Sequence, residues 1–136
     1  MSPNNYLSFD FYGERITYNM NVKILKDAGV DYNAGLDRFV NNADLYERML
    51  HEFIRENEFG DAETALESND LKSFGEHIHT MKGVTGNLSI TPLFEKCCLI
   101  MTLIHEGKAE LIPVEAEITF ELYKAVAAAI KAAEEN

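Results

Sequence analysis

The stretch LKSFGEHIHTMKGVTGNL, from Leu71 to Leu88, has the residue spacing of an amphipathic helix. When each residue is advanced by about 100° from Leu71, the apolar side chains and one threonine collect in an arc of roughly 100°. The residues of this arc are Leu71, Phe74, Ile78, Met81, Thr85 and Leu88. Asp70 precedes the stretch, where its carboxylate can accept hydrogen bonds from the first backbone N–H groups. The pattern predicts a helix that begins after Asp70 and packs one face into a core.

Helical periodicity also precedes this stretch. Residues 20–28 form a short apolar pattern that Gly29 should end, and Asp31 or Asn33 should begin a second short helix that reaches Val40. Asn42 is the expected cap of a longer helix, which Gly60 should weaken or kink. The inner stripe that we predict for this longer helix is Leu45, Met49, Phe53 and Ile54.

The pattern continues beyond the stretch to the end of the chain. Thr91 and Pro92 suit the cap and first turn of a helix that is apolar nearly all round and that Gly107 should end. A last helix from about Pro113 should present Val114, Ile118, Leu122, Val126 and Ile130 to the core. We therefore predict an all-α fold, an antiparallel up-down four-helix bundle with one or two short additional N-terminal helices. Residues 20–136 should form this domain, and residues 1–19 an irregular arm that folds back through Tyr6, Phe9 and Phe11.

The composition of the chain restricts its partners. Twelve lysine and arginine residues stand against 23 aspartate and glutamate residues, which gives a formal net charge of −11. This charge argues against nucleic acids and anionic membranes, because both need a basic surface. No apolar run reaches the roughly 18 residues of a membrane span, and no signal peptide is visible. Cys97 and Cys98 are adjacent on one predicted helix and should be reduced thiols, so we expect a cytoplasmic protein.

His79 lies on the outer face of the predicted helix, roughly 130° from the centre of the apolar arc. Three helical glycines, Gly75, Gly83 and Gly86, fall within about 40° of it, and Lys82 follows one turn later. A neutral imidazole is a competent nucleophile, and a nearby ammonium favours transfer of an anionic phosphoryl group onto it. Two simpler interpretations remain open. Exposed histidines are usually only solvated, and the glycines can serve close helix packing.

The other histidines point to no metal site. His77 should be partly buried near the core boundary, far in angle from His79, so the two cannot clamp a metal ion. His51 and His105 lie on other predicted helices and should be surface residues. A bundle-core metal site would need a Glu-x-x-His pattern on two helices, and this pattern is missing.

The segment HTMKGVTGNL, His79 to Leu88, resembles the signature of histidine-containing phosphotransfer (HPt) domains, usually His-x-Leu-Lys-Gly followed by small residues and an apolar position. The upstream segments AGVDYNAGLDRF, DLYERMLHEF and ALESNDLKSFGEHIHTMKG also resemble the family, so that the similarity covers about residues 20–135. Ile78 and Ser89 depart from the small residue and the glycine that are common at these positions. The matching residues are His79, Lys82, Gly83, Gly86, Asn87 and Leu88, with Met81 for the usual leucine.

The resemblance implies a four-helix bundle whose surface histidine carries phosphate between aspartates of receiver domains, in response regulators or hybrid histidine kinases of two-component signalling. His79 would be the phosphoacceptor through Nε2, and Lys82 would steady the phosphoryl oxygens. Gly83 and Gly86 would leave space for the partner beside the ring. Gly75 joins this set because of its position in the helix projection and not because of the family signature. Glu76 and Asn87 complete the expected binding surface, with apolar patches that meet the receiver.

The family itself needs no cofactor, since Mg²⁺ belongs to the receiver domain, and no ATP-binding kinase segment is visible in this chain. The protein would thus be a phosphorelay carrier, a stand-alone module that is an enzyme only by convention. An alternative from another class is a non-phosphorylated helical-bundle regulator that binds a kinase or receiver domain. A module fused to a kinase is a third possibility.

Overall fold

The computed structural model describes residues 19–135 with their side chains, and residues 8–9 and 15–16 by their backbone. Two short strands, β1 (Ser8–Phe9) and β2 (Arg15–Ile16), pair antiparallel within the segment that the sequence predicted to be irregular. The predicted contacts of Tyr6, Phe9 and Phe11 fall on side chains outside the described residues.

The rest of the described chain is helical, which confirms the predicted all-α class. Four helices, α4, α5, α6 and α7, pack in a closed ring, and α7 also contacts α1 and α3. A single 3₁₀ turn, Ala109–Leu111, precedes α7. The helices are α1 (Val22–Asp27), α2 (Tyr32–Arg38), α3 (Ala43–Arg55), α4 (Glu58–Glu67), α5 (Leu71–Asn87), α6 (Thr91–His105) and α7 (Ile112–Glu135).

Most helix boundaries follow the local signals in the sequence. The Asp70 carboxylate accepts a hydrogen bond from the Ser73 N–H at 3.1 Å, and Asn42 caps α3 through the Leu45 N–H at 3.0 Å. Three boundaries were predicted wrongly. Helix α2 ends at Arg38 and does not reach Val40, which has a left-handed backbone with φ of 55°. Thr91 is the first residue of α6 rather than its cap, and the break before α4 lies at residues 56–57, upstream of Gly60.

The predicted inner stripe of α7 is wrong at its first two positions, since Val114 and Ile118 are 63% and 45% exposed. Steps of four residues rotate by about 40° each around a helix with 3.6 residues per turn. A stripe that begins at Val114 has therefore turned by roughly 160° when it reaches Ile130, so both ends cannot face one core. The buried residues of α7 are Ile112, Ala116, Thr119, Phe120, Val126, Ile130 and Ala133.

The inner face of α3 also differs from the prediction, because Met49 is partly exposed while Tyr46 and Glu47 are buried. Polar groups can be buried when they are hydrogen-bonded, and both side chains have such partners. The Tyr46 hydroxyl donates to the Leu88 carbonyl at 2.7 Å, and Glu47 accepts from the Tyr32 hydroxyl and from the Met20 N–H. These bonds join the N-terminal helices to α3 and to the end of α5.

Cys97 is buried and Cys98 is half-buried, and both are free thiols, as the sequence predicted. Burial raises the pKa of the Cys97 thiol to about 12. Among the described residues, no helix is both long enough and apolar enough to cross a membrane.

Candidate functional site

Helix α5 exposes the imidazole of His79 on the side opposite its buried face, which consists of Phe74, Ile78, Met81 and Thr85. The ring forms no hydrogen bond or ion pair with the described residues. Lys82, one turn later, is half-buried, and its ammonium has no hydrogen-bond or ion-pair partner in that part of the chain either. An exposed nucleophile and an unpaired cation therefore lie on neighbouring turns of one helix.

Five of the seven predicted site residues line an open depression of about 630 Å³, which we call the histidine groove. The other wall comes from α2 and from the start of α6. Gly75 and Glu76 do not line the groove. The groove residues are His79, Lys82, Gly83, Thr85, Gly86 and Asn87 of α5, Asp31, Ala34 and Arg38 at α2, and Ser89, Thr91 and Phe94 before and within α6.

The three glycines near His79 have different surroundings. A methyl group on Gly83 would meet no atom within 4 Å, so this glycine leaves the surface beside the imidazole open. A methyl group on Gly86 would lie 3.0 Å from the Phe94 ring, and one on Gly75 would lie 3.4 Å from Cδ1 of Ile104. Gly86 thus allows close packing of α6 on α5, and Gly75 lies at the same helix contact. The sequence suggested that all three glycines leave open space beside the imidazole of His79. Their surroundings agree with this interpretation only at Gly83.

The wall formed by α2 is fixed to the end of α5. Val30 forms an isolated antiparallel bridge with Ile90, and the Asp31 N–H donates to the Ser89 carbonyl at 2.8 Å. The ring of Tyr46 packs directly against Gly35, where no side chain could fit. These contacts hold α2 at a set distance from the helix that carries His79.

Sequence reasoning missed the contribution of α2 to the site. Asp31, Ala34 and Arg38 are spaced i, i+3 and i+7, which places them on one helix face. That spacing was a readable signal, but it did not show that the face would lie opposite His79. Arg38 is exposed, and it forms no ion pair or hydrogen bond with the described residues.

A second depression, of about 300 Å³, adjoins the groove through Asn87, and we call it the apolar depression. Phe39, Phe53, Met81 and Val84 provide much of its lining. Glu52, Glu56 and Glu58 border it, together with Met49, Thr80, Asn87 and Leu88. This surface therefore combines an apolar lining with an acidic border.

The remaining histidines have separate environments. Nδ1 of His77 lies 2.8 Å from Oε2 of Glu58, and the residue is half-buried, as predicted. His105 is exposed, which also agrees with the prediction. His51 is instead half-buried and pairs with Glu134 of α7. In residues 19–135, no group of three or more His, Cys, Asp and Glu side chains could hold a metal ion.

A comparison with protein-family models matches the Hpt domain to residues 48–135, well over half of the chain. The match includes all of α4 to α7, and thus the whole of α5 with His79. The resemblance seen in the sequence extended further upstream, to about residue 20. Comparisons with curated proteins and with solved structures gave no match. The chain therefore belongs to the Hpt domain family, the histidine phosphotransfer domains of two-component signalling.

Proposed function

We propose that this protein is a phosphorelay carrier that accepts a phosphoryl group on Nε2 of His79 and passes it on. The main support is the position of His79, which is exposed, unpaired among the described residues and followed one turn later by an unpaired lysine. The open space beside Gly83 lets a bulky donor approach the ring. Phosphoryl transfer depends chiefly on positioning and on charge neutralisation, and these residues can supply both.

In the proposed reaction, the Nε2 lone pair attacks phosphorus in the aspartyl phosphate of a receiver domain. A P–N bond forms while the P–O bond to the acyl oxygen breaks, and the carboxylate leaves with its electron pair. The proton on Nδ1 is then released to solvent, which leaves a neutral phosphorylated ring. The Lys82 ammonium stabilises the charge on the phosphoryl oxygens during transfer. The reverse sequence delivers the group to a second receiver.

The proposed partners are receiver domains of response regulators or hybrid histidine kinases. The apolar depression beside the groove supports this docking mode, because apolar contacts there would place a receiver active site over His79. Mg²⁺ would be bound by the receiver and not by this chain. The carrier itself contributes a positioned nucleophile and the Lys82 ammonium, and we place the relay in the cytoplasm.

The experiment mixes the protein with a receiver that carries a ³²P-labelled aspartyl phosphate. We expect label that is acid-labile and base-stable, as a phosphohistidine is, in the wild type and in His105→Ala. His105 is the matched control because it is another exposed histidine, on α6. His79→Ala should take up no label, and equal labelling of His79→Ala and wild type would refute the proposal. A receiver that binds without transferring label would favour the regulator that acts by binding alone.

A further inference from the structure

Arg38 is the cationic residue of the histidine groove that the site chemistry described above leaves unused. It lies on the α2 wall, while His79 and Lys82 lie on the α5 wall of the same depression. Its side chain is exposed and forms no ion pair or hydrogen bond with the described residues.

Arg38 has no acidic partner among the described residues, although acidic residues outnumber basic ones by 23 to 12 in the chain. The nearest acidic residue on the same face, Asp31, lies two helical turns away and already accepts a hydrogen bond from the Ala34 N–H at 3.1 Å. Within the described part of the chain, the groove therefore has two cations without a partner, Arg38 and Lys82, and one carboxylate, which serves as a helix cap. An anion is the natural occupant of such a site.

The position of Arg38 is set by contacts that reach the α5 helix. The bridge between Val30 and Ile90 and the bond from Asp31 to Ser89 fix the start of α2, and Gly35 packs on Tyr46. Arg38 lies one turn beyond Ala34, the small residue of that wall. Arg38 thus lines the groove from the α2 wall, while His79 and Lys82 line the same groove from α5.

We infer that Arg38 is a second phosphoryl-binding residue, which contacts the phosphoryl oxygens on His79 from the α2 wall while Lys82 contacts them from α5. The inference rests on the proposed function of His79 and adds a residue to its site. A guanidinium suits this role because its fork of donors matches the geometry of phosphoryl oxygens, whereas an ammonium acts as a point charge. The phosphoryl group, with about −1.5 to −2 charges, would then lie between two cations.

The test uses phosphoramidate, a small donor that needs no receiver. Nε2 of His79 attacks its phosphorus, the donor P–N bond breaks, and the nitrogen leaves with the electron pair and takes up a proton as ammonia. The loading rate is followed by ³¹P NMR in wild type, Arg38→Gln, Arg38→Lys and Arg48→Gln. Arg48 is the matched control, because it is exposed on α3 and lies outside the groove. Thermal unfolding of each variant confirms that the fold is intact.

We expect loading to slow about fivefold or more in Arg38→Gln and less in Arg38→Lys, with Arg48→Gln at the wild-type rate. The ¹H–¹⁵N resonance of the Arg38 Nε–H should also shift when His79 of the wild type is phosphorylated. Equal loading of Arg38→Gln and wild type would overturn the inference and leave the proposed function standing. The inference would also be overturned if Arg38→Gln is loaded by phosphoramidate at the wild-type rate but accepts the phosphoryl group from a receiver more slowly. Arg38 would then act in docking of the receiver.

If the wild type takes up no phosphoryl group on His79, either from phosphoramidate or from a phosphorylated receiver, the proposed function fails, and a titration with inorganic phosphate decides the inference by itself. A shift of the Arg38 Nε–H resonance with phosphate, and not with chloride, would support the anion site. An unmoved resonance would refute it.

Discussion

The Gly83→Ala variant should separate the stability of this protein from its phosphotransfer activity. Gly83 lies in the interior of α5, and an added methyl group would meet no atom within 4 Å. The change therefore brings no packing cost, while alanine is better than glycine in a helix by about 0.8–1.0 kcal/mol. We expect the melting temperature to rise by about 3–5 °C in a chain of this size.

The same methyl group lies four residues after His79, with its Cβ about 5–6 Å from that of the histidine. It would occupy the space through which a receiver reaches the ring. We expect the rate of transfer from a phosphorylated receiver to fall about tenfold, since small displacements of reacting groups are costly. The assays are thermal unfolding and single-turnover transfer of ³²P.

Gly86→Ala is the matched control, because Gly86 is another glycine of α5 but lies against Phe94. A methyl group 3.0 Å from that ring forces it to move, and the cost of about 1 kcal/mol or more offsets the helical gain. Gly86→Ala should therefore be no more stable than wild type. The reasoning is refuted if Gly83→Ala is destabilised, or if it is stabilised and still transfers at the wild-type rate.

Three further changes test the fold that supports the site. Tyr46→Phe removes the donor to the buried Leu88 carbonyl and should lower the free energy of unfolding by about 1–3 kcal/mol in urea titrations; an unchanged value would contradict that hydrogen bond. Val40 has a left-handed backbone with φ of 55° and an 86% exposed side chain, so Val40→Gly should raise the free energy of unfolding by about 0.5–1 kcal/mol, and a decrease would count against the strain. Burial raises the pKa of Glu47 above its ordinary value of 4.5, so the folded state binds this proton more tightly than the unfolded state does. The free energy of unfolding of the wild type should therefore fall relative to that of Glu47→Gln as the pH rises from 4.5 through the folded-state pKa of Glu47. If the difference between these two free energies does not change with pH, this prediction is wrong.

The sequence predicted the helices well where local chemistry decides their ends. Asp70 and Asn42 cap the helices that they precede, and Gly29 has the left-handed backbone, with φ of 93°, expected where a helix ends. The outward position of His79 on α5 was also predicted, because the local spacing of apolar residues shows which face of this helix is buried. Five of its six inner residues are buried, and Leu71, the first residue of the helix, is 37% exposed.

The sequence could not predict features that depend on long-range packing. Tyr46 and Glu47 look like outward polar residues of α3, and they are buried because Leu88, Tyr32 and Met20 provide hydrogen-bond partners. Phe94 decides the role of Gly86, yet it lies on another helix and leaves no mark in the local pattern. The α2 wall of the groove escaped prediction for the same reason, since its contacts to Ser89 and Ile90 join segments about 60 residues apart.

The most direct test of the account is to find the atom that carries the phosphoryl group. The ¹⁵N-labelled protein is incubated with a phosphorylated receiver, and long-range ¹H–¹⁵N NMR spectra of the histidine rings are recorded. We predict a P–N bond at Nε2 of His79 and unchanged rings at residues 51, 77 and 105. A phosphoryl group on another histidine, or on none while the receiver stays competent towards another carrier, would contradict it.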